Sequence, residues 1–378
     1  MDARSPGGRV RARITNVRFM FALTSSGARR GWLTLGALLS TLALFGFTAC
    51  NPPPPPPPGP PTVTVSGNKL LNGAGQTTRL LGVNHSGTEY ACVQGWGLFD
   101  GPSDAASITA IKSWKTNVVR VPLNETCWLG INGVGTQYGG ANYRKAIGDY
   151  VTRLHAAGFV VILDMHWSAP GTQKATEIVV MAAADHAPAF WTSVATYFKN
   201  DPGVIFDLYN EPHDISWPCW RDGCTTAQGW KTAGMQSLVN AVRGTGAKQP
   251  IMLGGLGWAS DLSKWLTYKP NDPLNQLIAS FHFYNFSGCS AKTCWDSTVA
   301  PVSQSVPVVT GEFGQDDCAY GLVDQYMNWA DVKGISYLGW TWNTGGGWTC
   351  TSGPSLITNY NGTPTNYGVG LRDHLAAF

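Results

Sequence analysis

The sequence is poor in charge. Only 13% of its 378 residues are Asp, Glu, Lys or Arg, and the formal net charge is +3. Nucleic-acid binding needs a dense basic face, so that class is set aside. Even this small positive balance is local, because Arg4, Arg9, Arg11, Arg13, Arg18, Arg29 and Arg30 crowd the N-terminus and the remainder is slightly acidic. A phosphate loop of the Walker form is absent, and no Gly-rich patch, such as Gly345-Gly346-Gly347, opens a helix after a strand. There is no CxxC pair and no His-x-His pair on a first strand, where only Asn84-His85 stands. Structural zinc and a barrel-type metallohydrolase centre both lose their signatures, so no metal and no cofactor are expected. The apolar run Trp32–Phe47 falls short of the roughly 20 residues that span a bilayer.

What is present begins with a leader. Arg29-Arg30 precede the apolar run, which closes on Phe47-Thr48-Ala49-Cys50. This is the layout of an export signal over residues 1–50, with Met20 as an alternative start. Small residues before a Cys resemble the lipobox of bacterial lipoproteins, in which Cys50 would be lipidated; ordinary signal cleavage and an uncleaved anchor are the alternatives. The expectation is a secreted or surface-tethered protein whose membrane contact runs only through Cys50. Residues 51–61 form a linker, with an unbroken Pro52–Pro58 followed by Gly59, Pro60 and Pro61. Such a run is a semi-rigid polyproline II spacer of about 3 Å per residue, so about 30 Å overall. Beyond Cys50 there are eight cysteines, an even number in an exported chain, which reads as disulfides. Cys219/Cys224 and Cys289/Cys294 are close enough to bridge small loops, leaving Cys92/Cys127 and Cys318/Cys350 as longer pairs.

From Thr62 to Phe378 no second linker and no repeat interrupts the chain, so residues 62–378 are read as one domain. Short apolar runs recur at 79–84, 117–121, 160–165, 204–209, 251–254, 277–283, 306–310 and 335–340. Helix-friendly stretches lie between them at 103–114, 143–157, 186–199, 227–243, 262–266, 294–303 and 319–333. Eight strands alternating with helices predict an α/β fold, the (β/α)8 TIM barrel. Continuous apolar strands fit a sheet buried on both faces. Val63–Val65 and Gly67–Asn72 suit a hairpin closing the barrel bottom.

Barrel active sites lie at the C-terminal strand ends. Two carboxylates meet there, Glu211 after strand four and Glu312 after strand seven. Such a pair serves glycoside hydrolysis, which needs one protonated acid and one ionised group. Arg120 would stabilise the ionised one and Tyr284 would bond it. Asn210 is placed for a sugar 2-hydroxyl, and His166 and His282 for hydroxyls or for tuning the acid. Trp340 would form an aromatic floor; Trp342, two residues on, fits the same position. His85 is a further binding candidate. Trp128, Trp167 and Trp258 stand either in a cleft or packed under loops, and Asp164 supports the site from behind. The segments 130–141 and 168–185 are expected to wall the cleft.

Asn210-Glu211-Pro212 and Gly311-Glu312-Phe313-Gly314 resemble glycoside hydrolase family 5, the cellulase family of the two-glutamate barrel clan. The resemblance extends in order through Arg120 in Asn-Val-Val-Arg-Val-Pro, His166 in Asp-Met-His-Trp, His282 and Tyr284 in His-Phe-Tyr, and the strand-eight Trp. It implies retention of configuration, with Glu211 as acid/base and Glu312 as nucleophile. The expected substrate is a β-linked polysaccharide, first a β-1,4-glucan cut internally. Mannan or another β-glucan is the alternative within the family. A non-catalytic glycan-binding lipoprotein is the alternative of another class, and transglycosylation would use the same two glutamates. A monomer is expected.

Overall fold

Alternation along a strand decides what the barrel holds. Successive side chains point to opposite faces, so in a closed sheet every second residue enters the interior. The computed structural model describes residues 61–344 and 350–378. The expected leader, its Cys50 and the Pro52–Pro58 run lie outside the described residues, as does Gly345-Gly346-Gly347.

A small antiparallel sheet comes first, made of β1 (Val63–Ser66), β2 (Lys69–Asn72) and β3 (Thr77–Thr78). The eight barrel strands follow. They are β4 (Leu81–Asn84), β5 (Val118–Asn124), β6 (Val160–Trp167), β7 (Val204–Asp207), β8 (Ile251–Gly254), β9 (Leu277–Tyr284), β10 (Val308–Gly314) and β11 (Ser336–Gly339). All pair in parallel, and β11 returns to β4 through Tyr337↔Leu81, Leu338↔Gly82 and Gly339↔Val83, which closes the barrel. Each strand expected from the sequence is present, and the fold is the (β/α)8 barrel.

The interior is layered. Ile162, Ile205, Met252, Ile278, Val309 and Leu338 form one buried apolar cluster. Val63 and Leu70 of the small sheet belong to it, so that sheet plugs the lower end. Val63 N–H donates to Pro202 O at 3.0 Å, and the Gln276 amide brackets Val65 with contacts of 2.7 and 3.0 Å. The next inward positions are polar: Arg120 above Val118, Asp164 above Ile162, Asp207 above Ile205, and Ser280 and His282 above Ile278. Their outward neighbours, such as Val161, Leu163 and Met165, join the separate core beneath the helices.

The main helices are Ala105–Ser113, Ala141–Ala156, Ala187–Phe198, Met235–Arg243, Gly321–Lys333 and Asn366–Ala376. Side chains cap two of them, Asp104 on Ser107 N–H and Thr365 on Gly368 N–H. Two expectations are corrected here and one helix is added. The helix expected over 227–243 begins only at Met235, because the chain before it is tied back by bridges Thr225↔Lys231 and Ala183↔Thr232. A Cβ on Gly234 would lie 2.4 Å from the Asp222 carbonyl carbon, so that crossing admits only glycine. The stretch 262–266 yields a single turn, Trp265–Tyr268. The C-terminal helix Asn366–Ala376 had no counterpart in the sequence reading.

The cysteines pair as Cys92–Cys127, Cys219–Cys224, Cys289–Cys294 and Cys318–Cys350, as expected. Cys92–Cys127 joins the segment after β4 to the short helix Glu125–Leu129 after β5. It closes a loop across a sequence separation of 35. Replacing both with Ala should lower unfolding free energy by about 2–4 kcal/mol. Denaturant midpoints measured without reductant check this; an unchanged midpoint would show that the bridge adds nothing.

Candidate active site

Arg120 is fully buried, and a guanidinium without water must find its charge balance and its acceptors inside the protein. Its Nε donates to Asp207 Oδ2 at 3.0 Å, and Nη1 to Glu312 Oε1 at 2.6 Å and Asn84 Oδ1 at 3.0 Å. Nη2 donates to Asn210 Oδ1 at 2.8 Å and lies 3.0 Å from Asp164 Oδ2. One cation thus faces three carboxyl groups. Burial pushes Asp164 up to about 8 and Asp207 well above the ordinary carboxylate range, with Arg120 opposing in both cases.

Glu312 reaches this cluster through a break in register. Val308, Val309 and Thr310 pair with Ala279, Ser280 and Phe281, but the next pair is Glu312↔His282. Gly311 is the extra residue, a β-bulge, and bulges of this kind re-aim side chains beside active sites. Without it Glu312 would stand opposite Phe283 and face the helices. Gly311 must be glycine, since a Cβ there would meet His282 Nε2 at 2.8 Å and Ser280 Oγ at 3.0 Å. Aimed inward, Glu312 accepts from Arg120 on Oε1 and from the Tyr284 hydroxyl on Oε2 at 2.6 Å.

Glu211 follows the end of β7 and is buried, and Asn210 beside it donates its N–H to Met165 O at 3.1 Å. His282 Nδ1 lies 3.0 Å from Glu211 Oε1 and 3.8 Å from Glu312 Oε2. One oxygen from each carboxyl group and one nitrogen of His282 all lie within 4.8 Å of one another. The two glutamates have opposed surroundings. Glu312 holds a cation and a phenol. Glu211 is raised well above the ordinary range by burial and then by the charge of Glu312, against a smaller pull from Arg120. Its partner His282 is pushed well below the usual imidazole range by burial and by Arg120, so it adds no positive charge near neutral pH. His166 sits 2.6 Å from Asp164 Oδ2 through Nδ1 and is pushed down to about 3, chiefly by burial. Among the described residues, Glu211, His282 and Glu312 are the one group whose donor atoms could converge on a cation.

Above these groups opens a cleft of about 580 Å³. Trp340 lines it and stacks on His166, with ring centroids 5.4 Å apart and planes 8° from parallel. Tyr90 and Trp167 line it as neighbours, with ring centroids 6.3 Å apart. Trp258, also in the lining, lies flat against His213 at 3.7 Å, and Phe286 stacks on Tyr284 at 5.1 Å. Trp258 and Phe286 are 47% and 67% exposed, so their outer faces are free to meet a ligand.

The structure therefore gathers Arg120, His166, Asn210, Glu211, His282, Tyr284, Glu312, Trp340 and Trp167 at one mouth. Two candidates do not belong there. His85 is buried with Nδ1 2.5 Å from the Tyr150 hydroxyl of helix Ala141–Ala156. Asn84 points inward to Arg120, so its neighbour must point outward. Trp342 is fully buried edge-on against Trp114 at 4.8 Å. The expectation that it shares a face with Trp340 fails because β11 ends at Gly339 and strand alternation ends with it. Trp128 packs in the core, among Tyr143, Phe190 and Phe198. Of the two expected walls, 168–185 contributes Ile178, whereas no residue of 130–141 lines the cleft. Asp207, Glu89, Tyr90 and Phe286 were not found from sequence. Asp207 carried a signal, a charge inside an otherwise apolar strand.

Comparison with known proteins places this geometry. Residues 71–346 match the family model described as Cellulase (glycosyl hydrolase family 5). A mannan endo-1,4-beta-mannosidase from Streptomyces lividans is 26% identical over 75% of this chain and 67% of its own length. An endoglucanase from the same organism is 24% identical, over 64% of this chain and only 48% of its own length. Among solved structures, a beta-glucanase from Saccharophagus degradans in complex with cellotetraose aligns with a TM-score of 0.65 at 20% identity, covering 85% of this chain and 94% of that one. An endocellulase from Pyrococcus horikoshii gives 0.63 at 20% identity, covering 83% and 98%. At these identities the structural likeness speaks for the barrel.

Replacing Arg120 with Met would leave three buried carboxyl groups facing one another. Removing one partner of such a buried network is expected to cost about 3–5 kcal/mol. Chemical denaturation of Arg120→Met checks this, and a midpoint equal to the parent's would refute the central role given to the guanidinium.

Proposed function

This chain belongs to the cellulase family, glycoside hydrolase family 5, and we propose that within it the chain is a retaining endo-acting hydrolase of β-1,4-glucan. The observation that carries the reading is the closeness of the two carboxyl groups, with oxygens within 4.8 Å. Retaining enzymes hold their pair at about 5–5.5 Å, whereas inverting enzymes need roughly 6.5–9.5 Å to seat a water. Glu312, ionised and oriented by Arg120 and Tyr284, attacks the anomeric carbon. Glu211, whose raised pKa favours its protonated form, gives that proton to the departing glycosidic oxygen. The covalent glycosyl-enzyme is then opened by water, whose proton returns to Glu211. Asn210 and the two buried histidines bind hydroxyls, and Trp340 stacks on the sugar face.

Support for the substrate is of two kinds. Trp and Phe faces without a neighbouring cation suit neutral sugars, whose CH surfaces stack on aromatic rings. Relatives are named as endoglucanases, and the Saccharophagus neighbour was solved with cellotetraose. The mannosidase relative keeps mannan as a second reading, because one barrel hosts several specificities. The leader supports export, with Cys50 as a lipid anchor and the proline run as a spacer.

Wild-type protein should release reducing ends from carboxymethylcellulose faster than from mannan, with the β-anomer appearing first by proton NMR. Glu312→Ala should abolish turnover, and Glu211→Gln should lower kcat by about 10²–10⁴-fold. Since Glu211 must hold its proton, activity should fall as pH rises through its raised pKa. Cleavage of mannan alone would sink the glucan reading, and an α-anomer first product would sink retention. Separately, Cys50→Ser expressed in a bacterium should shift the protein from the membrane fraction to the soluble exported fraction. An unchanged distribution would exclude the lipid anchor.

A further inference from the structure

The cleft is lined by a third carboxyl group that the double displacement does not use. Glu89 lies between β4 and the short helix Ala91–Gln94 and is only 2% exposed. Its backbone is fixed from several sides. Asn124 Nδ2 donates to Glu89 O at 2.7 Å, Tyr143 hydroxyl donates to Thr88 O at 2.8 Å, and the Thr88 hydroxyl donates to Pro122 O. The Cys92–Cys127 bridge holds the helix that follows. Gly87 makes the turn possible, with φ at +124° and a close approach to Asp100 that would put a Cβ 2.6 Å from that residue's Cβ. Gly87 N–H then donates to Glu89 Oε2 at 2.6 Å.

That backbone contact leaves the group half-served. No side chain among the described residues bonds the Glu89 carboxyl group, although it is buried at the cleft wall beside Tyr90. Glu89 lines the cleft, so a ligand seated there can supply the partner that no side chain gives. Burial, with smaller contributions from Asp164 and Glu312, pushes Glu89 up to about 8, against its contacts to backbone amides. Near neutral pH it therefore carries an O–H to donate, and it adds no charge to a cluster already rich in carboxylates.

We propose that Glu89 is a substrate-binding residue whose carboxyl group hydrogen-bonds a hydroxyl of the sugar unit seated beside Glu312. This rests on the glycoside hydrolase reading above. A rigid backbone fixes the carboxyl group before the sugar arrives, so the contact discriminates between ring configurations rather than following the ligand. A Gln side chain can reproduce it, with its carbonyl oxygen taking the Gly87 N–H and its amide donating into the cleft.

The test compares wild type, Glu89→Gln and Glu89→Ala on cello-oligosaccharides and on monodeoxy analogues of them, with melting temperatures recorded for each. Glu89→Ala should lower kcat/KM about 10- to 100-fold, the range expected when a hydrogen-bonded hydroxyl loses its partner. Glu89→Gln should stay within about threefold of wild type, being able to form the same bond. On one deoxy analogue the wild type should lose as much as Glu89→Ala does, and the variant should lose nothing further. Wild-type kcat/KM in Glu89→Ala, or no deoxy analogue that couples to it, overturns the proposal while leaving the hydrolase reading intact. Absence of turnover in the wild type overturns the hydrolase reading instead. Calorimetric binding of the same oligosaccharides to wild type and Glu89→Ala then decides the contact: weaker binding by the variant upholds it, and equal binding ends it.

Discussion

Everything at the barrel mouth is arranged around one buried cation. Arg120 has no water to turn to, so Asn84, Asp164, Asp207, Asn210 and Glu312, from four strands and their ends, converge on its guanidinium. Each of those contacts fixes a side chain that would otherwise choose among rotamers. The planar fork of an arginine suits this better than a lysine would, because its donors are held at set angles. Below that level the same alternation supplies only aliphatic side chains, and the small sheet seals them. The change from oil to charge within one or two inward positions is what makes the mouth both rigid and low in dielectric.

That environment acts unequally on two residues of the same type. Glu312 is drawn toward the cation and the Tyr284 hydroxyl, while Glu211 meets a neutral His282, a burial penalty and the negative charge of its partner. No special chemistry of either glutamate is needed. Position alone sets the two carboxyl groups apart, as the proposed roles of proton donor and nucleophile require, and each one's state reinforces the other's. His282 matters here for what it does not carry, since a charged imidazole at 3.0 Å would pull the proton off Glu211.

Much of this was legible before any coordinates. Continuous apolar runs marked all eight strands, the Asn-Glu-Pro and Gly-Glu-Phe-Gly sequences marked the pair, and cysteine spacing marked the two short bridges, leaving the two long ones as the remainder. Where the reading failed, the cause was a local break in periodicity. Counting by twos along β10 from Val309 sends Glu312 outward, and only the bulge at Gly311 brings it in. Counting by twos past Gly339 placed Trp342 beside Trp340, although the strand had ended. His85 was grouped with its inward neighbour when alternation itself puts it outside. Glu89 and Phe286 sit on connecting segments, where no period exists to betray them, and the segment before Met235 looked helical because nothing in its composition announces the contacts that bend it back.

The sealed lower barrel has a consequence for traffic. Among the described residues, the aliphatic side chains and the plug sheet of the lower barrel form an apolar layer that carries no proton. In the proposed reaction, each proton that Glu211 gives away must therefore be replaced through the same opening that admits the sugar. The barrel is a cup rather than a conduit, and while a polysaccharide fills its mouth the two glutamates can exchange protons only with that chain or with waters trapped beneath it.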